Sequence, residues 1–303
     1  MLKKVRFIIN PISGVNRRPA RIIEWIDRYW GESGIEYEIL KTGHRGHGTE
    51  LARAAASQGC DMVVAAGGDG TINEVGRGLT GTPTALGIIP AGSGNGFARN
   101  LGIPLSQKAA IRLLRAPRIV PIDIGKINDR YFFNVAGSGL DAKVSVAFDA
   151  FPRRGLLPYV YLSFREYFRF KAEPVNIQLP DRRIRRSPIL LTFANLPEFG
   201  NNAVIAPGAR ADDGLLDVCI LNPVSLWKLL LNLPRIVSGR IDELAEMEIY
   251  QVQRAVITRE HSSPIHTDGD PHVEGSTLWV EVVRDGLRVA LPDTVAEPVR
   301  RPR

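Results

Sequence analysis

The sequence predicts two domains of different class. Residues 1–122 read as an α/β domain with an open, mostly parallel sheet and helices on both faces, and residues 123–286 as a β-rich domain. Three observations carry this. Up to about Arg118, short β-branched apolar runs alternate with segments of helical spacing, as βαβ units require. Beyond it, strand-like runs follow one another, which suggests an antiparallel β-sandwich, or else an open barrel. Glycine-bearing turns follow Ile9, Ala66 and Ile89, at the carboxyl ends of strands, where open α/β sheets bind ligands.

In order, Val5–Ile9 is a buried strand and Asn10-Pro11-Ile12-Ser13-Gly14 the turn that ends it. Pro19–Trp30 places Ile22, Ile26 and Tyr29 at helical spacing between charges. Ile35–Leu40 alternates as a strand should, and Thr49–Gln58 is Ala-rich and helical, with Gly59 as C-cap. Asp61–Ala66 is a second buried strand, ended by Gly67-Gly68-Asp69-Gly70 because glycine frees φ and offers no side chain to pack. Thr71-Ile72-Asn73-Glu74 reads as a capping box, the Thr71 hydroxyl accepting from the Glu74 N–H and Glu74 reaching back to the Thr71 N–H. Ala85–Ile89 is another buried strand, running into the turn Pro90–Gly96, and Gln107–Arg115 is a helix. In the second domain the strands are Tyr131–Val135, Val175–Leu179, Ile189–Ala194, Leu215–Leu221, Met247–Thr258, Thr277–Val283 and Leu287–Leu291. The segment 287–296 can return to the first domain, and 297–303 is a basic tail carrying Arg300, Arg301 and Arg303.

The formal net charge of +7 favours anionic partners such as nucleotide phosphates or an anionic membrane surface. No aromatic-basic platform for nucleic acid is evident, so nucleic acid is not an expected partner. Cys60 and Cys219 form no framework, which suits a reducing compartment. The N-terminus has no signal-peptide pattern and no run approaches a membrane span, so the expectation is a cytoplasmic protein, peripheral to a membrane at most. Two segments, Phe151–Phe170 and Leu226–Val237, are amphipathic. Contact with a bilayer or acyl chains and cover for one end of the sheet core are both open to them.

The stretch Asp61–Leu79 joins a strand, a glycine turn and a helix start, a combination that gathers backbone N–H groups at the positive end of a helix dipole and so binds phosphate. A carboxylate at Asp69 would repel phosphate unless a magnesium ion bridges them or the carboxylate acts on a hydroxyl proton; the plainer reading is a structural turn. The common nucleotide fingerprints fail: there is no GxxxxGK[ST], and Phe97 stands where GxGxxG needs a small residue. His44 and His47 alone are too sparse for a metal site. His266, Asp268, Asp270 and His272 alternate, but Gly269 and Pro271 interrupt them, leaving zinc a minor reading.

NPISG at 10–14, GGDGTINEV at 67–75, PAGSGNGFARNLGIP at 90–104, DIG and FNVAGSGLDA within 123–142, APGARADDGLLDV at 206–218 and DGD at 268–270 resemble the diacylglycerol kinase catalytic-domain family, which includes bacterial lipid kinases and sphingosine kinases. The motifs cover nearly the whole chain in order. GGDGT is shared with NAD kinases; the later motifs narrow the likeness to lipid kinases.

The resemblance implies an ATP- and Mg2+-dependent kinase whose α/β domain binds the nucleotide and whose β-rich domain binds lipid, with the active site in the cleft between. On it, Gly67, Gly68, Asp69, Gly70, Thr71, Ile72 and Asn73, with Glu74, Asn10 and Gly92, hold the nucleotide phosphates. Ser93 takes the place of the Thr or Ser of the second glycine loop, and Thr42 that of an upstream nucleotide-binding Thr. Asp270 stands where relatives carry the Glu of a DGE motif, the proposed base, and is one methylene shorter. Asp69 positions magnesium or orients the acceptor. A structural metal would be held by the Arg210 and Leu215 carbonyls and the Asp213 side chain. Gly96 replaces the Asp of a GND motif, which brings the second loop closer to sphingosine kinases. A soluble-substrate kinase of the NAD kinase type and a non-catalytic lipid-binding protein are the alternatives. A homodimer is implied only by relatives.

Overall fold

The computed structural model describes residues 2–13, 19–152, 155–200 and 203–293. Gly14 of the first turn and the basic tail with Arg300, Arg301 and Arg303 lie outside them. The chain divides into two compact units, one running to Ile122 and resuming at Asp285, the other Asp123–Arg284.

The first unit contains β1 (Lys4–Ile9), α1 (Pro19–Trp30), β2 (Glu36–Lys41), α2 (His47–Ser57), β3 (Met62–Gly67), α3 (Asp69–Leu79), β4 (Ala85–Pro90), α4 (Gly96–Asn100) and α5 (Gln107–Leu113). Its strands lie side by side in the order β2-β1-β3-β4, all parallel. Because every residue of β3 and β4 is buried, their sequences are unbroken apolar runs rather than alternating ones. One face packs Val5, Phe7, Ile9, Met62 and Val64 against Ile22, Ile26 and Trp30 of α1 and Ile111 of α5. Trp30 meets Phe7 edge to face at 5.1 Å. Helices α2 and α3 pack together so closely that a Cβ on Gly78 would stand 2.7 Å from the Ala52 Cβ. The chain leaves β1 for β2 on one side and then crosses to β3 on the other, so the carboxyl ends of β1 and β3 flank a topological switch point.

The chain continues through β5 (Arg118–Ile127), β6 (Arg130–Phe132), β7 (Val135–Gly139), α6 (Leu140–Asp149), α7 (Leu156–Arg169), β8 (Val175–Gln178), β9 (Arg183–Arg186), β10 (Leu190–Ala194), β11 (Leu216–Leu221), α8 (Leu226–Leu231), α9 (Leu233–Val237), β12 (Met247–Val252), β13 (Arg254–Arg259), β14 (Ser263–Thr267), β15 (Asp270–Glu274) and β16 (Thr277–Leu291). In the second unit one antiparallel sheet runs β12-β11-β10-β7-β14-β15, and a second pairs the start of β16 with β13, β8 and β9. Phe193, Val218 and Ile220 of the first sheet share one core with Ile177, Ile257, Leu278 and Val280 of the second, which makes a β-sandwich. The far end of β16 pairs in parallel with β4 in the first unit's sheet, Arg288 opposite Ala85.

Several elements differ from the sequence reading. Met247–Thr258 is not one strand: it breaks at Gln253, and the two halves join different sheets. Conversely, Thr277–Leu291 is a single strand, running through Asp285 at φ +50, a local kink between the runs Thr277–Val283 and Leu287–Leu291 that the sequence reading kept apart. Tyr131–Val135 divides into β6 and β7, and the hairpin strands β9, β14 and β15 are additional. Periodicity marks extended chain; it does not mark where that chain changes sheet. No helix among the described residues is long and apolar enough to cross a membrane.

Candidate active site

At the switch point the hydrogen-bond ladder runs one residue past the strands. Thr42 N–H donates to the Ile9 carbonyl (3.0 Å), Asn10 N–H to Ala66 (3.0 Å) and Ala91 N–H to Gly67 (2.8 Å). Thr42, Asn10, Gly67-Gly68 and Ala91-Gly92 are thereby aligned along one sheet edge. The two glycine turns nearly touch: a Cβ on Gly92 would lie 2.5 Å from the Gly68 Cα, and one on Gly67 would lie 2.5 Å from the Thr71 Oγ1. Only glycine allows this approach. Asn95, at φ +51, locks the second turn through Oδ1, which accepts from Gly92 N–H, and Nδ2, which donates to the Gly92 carbonyl. The neighbouring Ser93 is exposed. Asp69 accepts from the Phe97 N–H at the start of α4 (3.3 Å), and Asn10 Nδ2 donates to Thr71 Oγ1 (3.0 Å).

The capping box is not formed. Helix α3 starts three residues earlier than that reading needs, at Asp69, with Gly68 as an extended N-cap that offers no side-chain acceptor. Thr71 is therefore helical and buried, and its hydroxyl turns to Asn10. Glu74 serves α2 instead, accepting from the Gly46 N–H (2.8 Å) and Gly48 N–H (3.0 Å). The α3 N-terminus is thus left without a side-chain cap, which suits an anion. Gly70 stands in its first turn with open space around it. Ile72 and Asn73 are buried, and the Ile72 N–H is taken by the Gly68 carbonyl.

Asp270 lies in the second unit, as the first residue of β15. Thr267 pairs with it across a two-residue turn, Asp268-Gly269, at φ +52 and +84, the signature of a type I′ hairpin. So the alternation of His266, Asp268, Asp270 and His272 is not one extended face: it is folded over this turn. The Asp268 carboxylate accepts three backbone N–H groups, from Phe133 (2.8 Å), Asn134 (2.8 Å) and Val135 (3.0 Å). His266, fully enclosed, accepts from the Gly269 N–H at Nδ1, so its Nε2 carries the proton facing Asp141 Oδ2 at 3.2 Å. Thr192 Oγ1 donates to the same carboxylate oxygen. A Cβ on Gly137 would collide with both partners. His272 Nε2 stands 3.5 Å from Asp270 and 3.1 Å from Thr267 Oγ1. This supporting network was missed in the sequence; the Asp-Gly pair could have revealed the hairpin and Asp141 lies in the FNVAGSGLDA segment, but nothing marked Thr192.

In the 210–217 segment Arg210 forms a fork onto Asp212, Leu215 N–H donates to Asp213 Oδ1, and Gly214 N–H donates to Asp123 Oδ2. Burial raises the Asp213 carboxyl and pushes Asp217 up to about 6, with Asp213 adding to the latter. An oxygen-only donor set of crowded acids fits a hard divalent cation. Elsewhere the fold adds Glu50 to His44 and His47, their ligand atoms within 4.8 Å of one another. The two imidazoles are stacked, however, only 10° from parallel, so their lone pairs lie side by side rather than converging.

Residues 4–127 match the model of the diacylglycerol kinase catalytic domain, and 134–291 that of the YegS C-terminal NAD kinase beta sandwich-like domain. A "Probable lipid kinase YegS-like" of Chromohalobacter salexigens is 32% identical over 254 residues, 79% of each chain. A diacylglycerol kinase of Bacillus subtilis is 34% identical over 234 residues, 74% of this chain and 76% of that one. A diacylglycerol kinase structure from Bacillus anthracis str. Sterne superposes with a TM-score of 0.76 at 21% identity, over 97% of this chain and 99% of that one; at that identity it shows the fold alone.

Proposed function

The chain belongs to the diacylglycerol kinase family and is a kinase, and from that premise we propose that it moves the γ-phosphate of ATP to a hydroxyl of a membrane lipid. The observation that carries the nucleotide half is the contact of the two glycine turns beside the uncapped α3 N-terminus. Backbone N–H groups there would hold phosphate oxygens, with Thr42, Asn10 and Ser93 along the same edge. Asp69 would hold Mg2+ or orient the acceptor; when bound, the ion neutralises phosphate charge. Asp270 takes the proton of the attacking hydroxyl. Its hairpin is pinned by the Asp268 carboxylate, which restricts where that base can stand. The Asp213 side chain, with the Arg210 and Leu215 carbonyls, would hold a structural cation.

A membrane substrate suits the exposed apolar surface of the second unit. Helix α7 exposes Leu157 (83%) and Phe168 (74%), and α8 exposes Trp227 (77%) and Leu231 (80%). These are poor as cover for a core and suited to an interface. Tyr167 O–H donates to the Val224 carbonyl, which ties the two segments together.

Transfer of labelled γ-phosphate from ATP with Mg2+ tests the proposal. The acceptors are diacylglycerol, monoacylglycerol, a sphingoid base, ceramide and phosphatidylglycerol in mixed micelles, with NAD in solution as control. Label on a lipid is the expected result and names the acceptor. Label on NAD alone, or ATP binding without turnover on any acceptor, overturns it.

A further inference from the structure

The second unit contains a cavity of about 320 Å³ whose lining includes four cationic side chains, Lys143, Arg169, Lys171 and Arg259, and two acids, Glu166 and Glu173. The cations differ in burial. Lys143, Arg169 and Lys171 are exposed and form its mouth, whereas Arg259 is only 7% exposed. The guanidinium of Arg259 is incompletely satisfied. It donates to Ser138 Oγ (3.2 Å), itself buried in the lining, and to the Glu274 and Gly275 carbonyls. Its Nε–H, also buried, donates to no protein atom. Among the described residues no ion pair neutralises it: Glu274 is taken by Arg130 and Asn128, and Glu274 and Glu173 attract the guanidinium only across a longer distance. Of the two lining acids, Glu166 is engaged by Arg165.

A buried cation with an unpaired donor is costly unless something compensates it. Burial draws the Arg259 guanidinium down from its ordinary value, but an arginine stays charged, so the deficit cannot be relieved by losing the proton. Three further cations at the mouth raise the local concentration of anions. The volume suits a small polar group, and arginine's planar fork matches the oxygens of phosphate.

We propose that this cavity binds a phosphate group, held by the Arg259 Nε–H and the Ser138 hydroxyl and admitted past Lys143, Arg169 and Lys171. The group belongs to a soluble phosphate compound or to an anionic lipid headgroup. The site lies wholly in the β-sandwich unit and shares no residue with the glycine turns; it meets the Asp270 hairpin only at its far end, where Ser263 and Pro264 line it and the Glu274 carbonyl accepts from Arg259.

The test follows the Arg259 Nε–H resonance in 15N-labelled full-length protein, assigned by its loss in Arg259→Lys. Inorganic phosphate is titrated in one arm, and short-chain phosphatidylglycerol against short-chain phosphatidylcholine, below their micelle concentrations, in the other. A saturable shift with phosphate or phosphatidylglycerol, absent with phosphatidylcholine, is expected. Tighter binding of phosphatidylglycerol assigns the site to a headgroup, and tighter binding of inorganic phosphate to a soluble compound. The combined Lys143→Gln, Arg169→Gln, Lys171→Gln variant, altered only at exposed positions, should weaken binding at least tenfold. No saturable shift with either anion, or equal affinity in wild type and the triple variant, overturns the proposal. Because the signal belongs to Arg259 alone, phosphate held at the glycine turns does not register. Failure here therefore leaves the kinase reading standing.

Discussion

At the strand ends of the first unit the proposed binding groups are mainly backbone: two glycine turns in contact, an uncapped helix start, and side chains such as Asn95 that hold main chain in place. In the second unit the hairpin that carries Asp270 is held by its own side chains gripping remote parts of the chain, Asp268 on the 133–135 backbone and His266 on Asp141. A backbone site needs space and is spoiled by adding an atom. A side-chain site needs partners and is spoiled by removing one. Substitutions should therefore fail in opposite ways in the two regions.

The largest effect is expected at the proposed base. Asp270→Asn should lower γ-phosphate transfer by about 10³-fold, within the range for loss of a general base, and leave ATP affinity nearly intact. Turnover like wild type would remove Asp270 from that role. Asp69→Ala should also abolish transfer; retained activity would break the phosphate reading of the first region.

Removing a partner comes next. Asp268→Ala leaves three N–H groups without their carboxylate, and chemical denaturation should show a loss of about 3 kcal/mol. Transfer should fall with it as the hairpin loosens. A variant as stable and active as wild type would show that Asp268 does not pin the base.

Adding an atom should separate two glycines of the same turns. Gly92→Ala sets a Cβ 2.5 Å from the Gly68 Cα, a clash of backbone with backbone, and should cost about 2–3 kcal/mol in stability. Gly70→Ala meets nothing within 4 Å, and its thermal midpoint should correspond to a change of under about 1 kcal/mol. Equal losses at both positions would defeat the close-approach argument.

The smallest effect lies away from both regions. The Arg186 fork holds Glu248 at about 2, below its ordinary 4.5, with Asn222 and Tyr250 assisting. A carboxylate whose folded value is depressed adds stability above its unfolded value and loses it as pH falls toward the folded one. Arg186 is 39% exposed in its side chain, so solvent screening leaves about 1 kcal/mol at neutral pH. Glu248→Gln should remove that amount at pH 7 and flatten the stability profile between about 4.5 and about 2. A profile with unchanged slope would show that the pair does not couple to folding.

The two regions also differ in how far they could be read from residues. The glycine turns were legible because strand, turn and helix start are contiguous, and each signal is local. Even there the capping box failed, because Thr71 and Glu74 have the right spacing but Gly68 starts the helix earlier and Glu74 finds better partners across at Gly46 and Gly48. The Asp270 hairpin was legible only as a motif. Its supports, Asp141 and Thr192, lie 125 and 74 residues before His266; Asp141 falls in a quoted motif that gives it no role, and Thr192 in none. Arg259 likewise sits in an ordinary strand sequence, and only the sandwich around it makes it a buried cation.

By itself, then, the sequence determined the two fold classes, the parallel strands of the first unit and the place of the glycine turns, since apolar runs, glycine and helical periodicity act over a few residues. Tertiary structure alone decided where extended runs split between sheets, which oxygen accepts which N–H, and which charges are left without partners. Those outcomes depend on burial and on neighbours distant along the chain. A residue's chemistry is written at its own position, but its desolvation is set by whatever the fold packs around it.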